Sequence, residues 1–91
     1  MSALSEELAA TGATNWVALP NGPRTTRLYG TWAGSAQLEV KGSADADADA
    51  SPVGDAVTAN GAWKIDVSQF DNVVYRWNFT RTSGTLKVAI G

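Results

Sequence analysis

The sequence predicts an all-β protein, a small antiparallel β-sandwich or jelly-roll-like barrel of seven to eight short strands with an N-terminal arm. Three observations lead there. Apolar and polar residues alternate with period two in run after run, as half-buried strands require. Gly, Pro, Asn and Asp clusters separate those runs at short intervals. No interior stretch carries a convincing 3.6-residue apolar period.

Residues 1–13 read as an acidic, alanine-rich arm, in which Ser2 or Ser5 caps a helical turn through Glu6, Glu7 and Leu8 that Gly12 ends. Removing residues 2–12 is expected to leave the fold intact. Residues 14–91 form the sandwich domain. Thr14 to Leu19 is a first strand, stopped by Pro20-Asn21-Gly22-Pro23. Thr25 to Ala33 and Ala36 to Lys41 follow, and a turn at Ala33-Gly34-Ser35 would pair them so that Trp32 meets Ala36 and Leu28 meets Val40.

Gly42 to Ser51 is the low-complexity stretch GSADADADAS, too polar for a core strand. Ala56 to Ala59 is a short strand, and Asn60-Gly61 marks a type I′ turn into Ala62 to Ser68, with Trp63, Ile65 and Val67 facing inward. Phe70 closes the end of the core before Asp71-Asn72 turns the chain. The runs NVVYRWNFTR (residues 72–81) and TLKVAIG (residues 85–91) then form a hairpin through Ser83-Gly84, with Phe79 opposite Val88 and Trp77 opposite Ile90. The expected core is Leu28, Trp32, Leu38, Val40, Val57, Trp63, Ile65, Val67, Tyr75, Trp77, Phe79, Leu86, Val88 and Ile90.

Composition narrows the function classes. With neither Cys nor His, Cys/His zinc sites and the common nucleophile–base pairs are excluded, and no glycine-rich phosphate loop is present, so the chain reads as no enzyme. Asp45, Asp47 and Asp49 have the spacing with which a calcium loop opens. Such a loop needs Gly at its sixth position and Glu at its twelfth, and here those are Ala50 and Ala56, so no metal or cofactor is expected. A net charge of −2 argues against a nucleic-acid binder. No segment has the length of apolar residues that spans a membrane, and the N-terminus lacks a secretory signal pattern, so a cytosolic start is expected.

The order GTWAGSAQLEVKGSADADADASPVG, VTANGAWKIDVS, NVVYRWNFTRTSGTLKVAIG resembles small β-rich structural proteins of tailed bacteriophages, in which a G-T-W strand, a turn, P-V-G, a further strand, a Y-R strand and a G-T strand recur. Residues 29–91 carry the likeness. It implies a non-enzymatic virion component. The expected role is a capsid decoration or cement protein, a homotrimer that clamps coat subunits of the major capsid protein in the virion. A tail, neck or baseplate module is the nearest competitor. A carbohydrate-binding module using Trp16 or Tyr29 as platform is the alternative from another class. The expected contact residues are Leu4 and Leu8 of the arm, Trp16 and Tyr29 as anchors, and Asp45, Asp47 and Asp49 at the acidic loop.

Overall fold

In the computed structural model, residues 4–19, 22–67 and 73–91 are described, with Asp66 and Val67 described by their backbone alone. The alternating runs become seven strands of one antiparallel sheet that is not closed into a barrel: β1 (Leu4–Leu8), β2 (Gly12–Ala13), β3 (Val17–Ala18), β4 (Gly22–Gly42), β5 (Ser51–Pro52), β6 (Gly61–Val67) and β7 (Val73–Ile90). A short 3₁₀ turn at Asp47–Asp49 interrupts the acidic stretch.

The sheet is built on a ribbon of two long strands. β4 and β7 pair antiparallel from Thr26 opposite Ile90 to Gly42 opposite Val73, with one shift of register after Ala33, where Thr82 is passed over. Around that shift Gly30, Gly34 and Gly84 take positive φ, at 95°, 136° and 77°, a region that other residues rarely adopt. The ribbon bends there, so its two halves lie against each other. Trp32 of one half meets Phe79 of the other edge to face, ring centroids 5.5 Å apart. The Trp77 indole N–H donates across the layers to the Thr26 hydroxyl at 2.6 Å. β6 flanks β4 and β1 flanks β7 in the first layer; β5 flanks β4, and β2 and β3 flank β7, in the second.

Alternation then decides burial. Tyr75, Trp77 and Phe79, then Leu86, Val88 and Ile90, point into the interlayer core with Leu28, Leu38 and Ile65. Trp32, Val40 and Val57 pack partly buried against it. Leu4, Leu19 and Ala36 join the core, although the sequence reading left them out. Phe70 and the side chain of Val67 lie outside the described residues.

Both expected hairpins are replaced by this ribbon. Phe79 faces Ala36 and Trp77 faces Leu38, rather than Val88 and Ile90; Leu28 faces Val88, Val40 faces Tyr75, and Trp32 faces Gly84. A positive-φ glycine serves a strand bend as well as a chain reversal, and alternation on either side reads the same in both. The pairing of large with small survives with other partners, Phe79 over Ala36 and Trp32 over Gly84.

The type I′ turn at Asn60-Gly61 is likewise absent, since no non-glycine residue described has positive φ and Gly61 is not among the positive-φ glycines. Asn60 instead accepts the Trp32 indole N–H at 2.6 Å and donates to the Gly30 carbonyl at 2.9 Å. β6 pairs with β4, and the expected strand at 56–59 reduces to a bridge between Val57 and Ala36. The expected helical turn at Glu6 to Leu8 is β1, in register with Leu86–Ile90, because Leu4, Glu6 and Leu8 alternate with Ser5 and Glu7 and Leu4 can enter the core. The first expected strand is confined to Val17–Ala18, with Thr14 buried ahead of it, where its hydroxyl accepts the Trp77 backbone N–H.

Candidate functional site

Two places on this framework gather side chains able to make contacts. The first lies on the outer face of the second layer. Lys41 of β4 and Arg76 of β7 sit with their charged ends 4.8 and 4.4 Å from the centre of the Trp16 ring. The acidic loop folds back onto them. Asp47 accepts from the Lys41 ammonium at 2.8 Å and from the Trp16 indole N–H at 3.0 Å, and lies 3.6 Å from the Arg76 guanidinium. Arg76 also pairs with Glu39 at 2.8 Å, both largely screened from water. The hydrogen bond from Lys41 holds the Asp47 carboxyl below its ordinary value; desolvation opposes this, and the Trp16 N–H and the charges of Lys41 and Arg76 add to it.

Asp45 closes the loop at its start, accepting the Gly42 N–H at 3.1 Å while its carbonyl takes the Lys41 ammonium at 2.8 Å. Asp49 is exposed, its N–H bonded to the Ala46 carbonyl. Asp45 and Asp47 therefore act as separate anchors while the Asp49 carboxylate stays at the surface, and among the described residues no cluster of His, Cys, Asp or Glu could hold a metal ion.

Of the other expected contact residues, Leu4 is taken into the protein's own core and Leu8 is half-buried against it. The Tyr29 ring carries the Arg27 guanidinium at 4.3 Å, with Lys87 6.0 Å away. Both aromatic platforms read from the sequence are thus occupied by cations of the same chain.

The second place is a cleft of about 420 Å³ that opens between the layers along the side where β6 and the Val53 to Val57 segment lie. Trp63, Tyr75, Trp77 and Leu38 contribute its walls, with Asp55 and Lys64 among the residues lining it. Trp63 was expected in the core. Its register opposite Thr26 does turn it inward, but β6 is the outermost strand of its layer, so 36% of the residue remains exposed. Its ring lies 5.9 Å from that of Trp77 at 48°. The sequence signal for this cleft is the parity of Trp63 with Ile65. What the sequence withheld is that nothing covers the edge beyond them among the described strands.

No family model, curated protein or solved structure matches this chain, so its reading rests on these residues and their geometry.

Proposed function

We propose that this protein is a non-enzymatic structural subunit of a tailed-phage virion, of the capsid decoration or cement type, which attaches to coat subunits and to copies of itself as a homotrimer. The observation that carries this is the edge of the sheet. β1 ends the strand order beside β7, and no further strand pairs with it among the described residues. A short edge strand with spare backbone donors and acceptors is a ready place for a neighbouring subunit to continue the sheet. The loop held over Lys41 and Arg76 by the Asp47 carboxylate and the Asp45 carbonyl supports the same reading, since it keeps the exposed acidic residues of that loop at the surface.

Light scattering of the purified protein across a concentration range tests it. A stable trimer agrees with the cement role. A monomer at every concentration removes the trimer and moves the assignment to a tail, neck or baseplate module that pairs with a different neighbour.

A further inference from the structure

We propose that the cleft between the layers is a saccharide site that takes one or two neutral pyranose rings. Its volume of about 420 Å³ falls within the range of small-molecule sites. The argument for its ligand comes from hydrogen-bond accounting. Trp16, Trp32 and Trp77 each place the indole N–H on an acceptor, Asp47, Asn60 and Thr26 respectively, at 3.0, 2.6 and 2.6 Å. The Trp63 N–H has no acceptor among the described residues, and Trp63 is the large hydrophobic residue the fold leaves exposed there.

Tyr75 adds a second open group. The residue is only 7% exposed, and its hydroxyl makes no hydrogen bond to any described residue. Among the described residues no buried side-chain nitrogen or oxygen is left unpaired, so that hydroxyl is not sealed in the core, and Tyr75 lines the cleft. Thr26, also on the lining, is already engaged: its hydroxyl accepts from Trp77 and donates to the Ala89 carbonyl at 3.4 Å. Asp55 and Lys64 line the cleft without an ion pair to any described residue.

The residues lining the site thus bring an aromatic ring with an unengaged N–H, a phenol, a carboxylate and an ammonium. A purely apolar ligand would strand the phenol and the indole N–H against a dry surface. A charged ion would meet aromatic walls, and both signs of charge together. A pyranose answers both parts, with an apolar C–H face for Trp63 and hydroxyls at its rim for Tyr75, Asp55 and Lys64.

This site is independent of the assembly role, so light scattering and sugar titration fail separately. Glucose, galactose, N-acetylglucosamine and their β-1,4-linked disaccharides are titrated against the full chain, with calorimetry and tryptophan emission as readouts. Saturable binding in the millimolar range is expected, weakened roughly tenfold in Trp63→Ala. Tyr75→Phe keeps the ring in the core and weakens binding about fivefold. Trp16→Ala leaves binding unchanged. No saturable binding by any of these sugars overturns the proposal, as does binding of unchanged affinity in Trp63→Ala. Uptake of an apolar dye that no sugar displaces also overturns it.

Discussion

Thr26 ties the two layers together at a single atom. It is fully buried, and its hydroxyl takes the Trp77 indole N–H at 2.6 Å. Thr26→Val keeps the shape and removes the acceptor, stranding the indole N–H in the core. A loss of about 1–3 kcal/mol follows, read from urea denaturation, with Thr26→Ser recovering most of it. The expected core omitted this residue although 26 shares the inward face with Leu28, and its partner, 51 residues away, carries no local signal. Asp47 is the opposite case, an exposed carboxylate tied to Lys41, Trp16 and Arg76. Its folded pKa is depressed, so its contribution is complete above the ordinary carboxylate range and is lost as pH falls through the lower folded value. Acid titration followed by Trp16 emission is expected to show the strap releasing there. Asp47→Asn abolishes that transition, and raised salt weakens the strap at neutral pH.

The strand termini were harder to read than the strand faces, and the glycines explain why. Gly34 and Gly84 let β4 and β7 run on through a bend, where the same residues suggest a reversal in sequence. Inward residues such as Leu28, Leu38, Phe79 and Val88 keep their face under either topology, so the core was largely legible while the pairing was not. Local patterning cannot weigh a neighbouring run against a distant one; that choice belongs to the register of the whole ribbon. The Trp63 cleft shared this fate, because the residue's direction was readable and its position on an edge was not. The bends are testable. A Cβ on Gly84 would sit 2.2 Å from the Thr31 carbonyl oxygen and 2.7 Å from Trp32 Cα, on a backbone at φ 77°. Gly84→Ala is expected to cost more than about 2 kcal/mol, which in a domain of this size lowers Tm by roughly 10 °C or more. Gly12→Ala, with nothing within 4 Å of the added carbon and no positive φ, serves as the near-neutral control.

At the scale of the molecule the limiting quantity is how much core 91 residues can bury. A chain of this length hides roughly 60–65% of its unfolded surface, and small domains rest on a margin of about 5–15 kcal/mol. Against that margin β1 is not an ornament. It pairs with Leu86–Ile90 along its whole length, sets Leu4 into the core and Leu8 against it, and covers the edge of the strand that holds the ribbon together. The expectation that the N-terminal segment could be removed without consequence for folding treated it as a loose arm, and the pairing gives it the opposite standing. Deleting residues 2–8 withdraws the Leu4 side chain, for which loss of a buried leucine costs about 2–5 kcal/mol. It also bares the backbone of Leu86–Ile90, three of whose five residues are apolar and fully buried in the intact protein. A long uncovered edge of that composition recruits other chains. The truncated protein is therefore expected to show a lower urea midpoint and a concentration-dependent rise in scattering toward irregular masses, unlike the fixed stoichiometry of a trimer. Leu4→Ala alone is expected to lower the midpoint without the irregular association, since β1 still covers β7. A truncation whose midpoint and mass match those of the intact chain would mean that β1 contributes neither to the fold nor to the assembly.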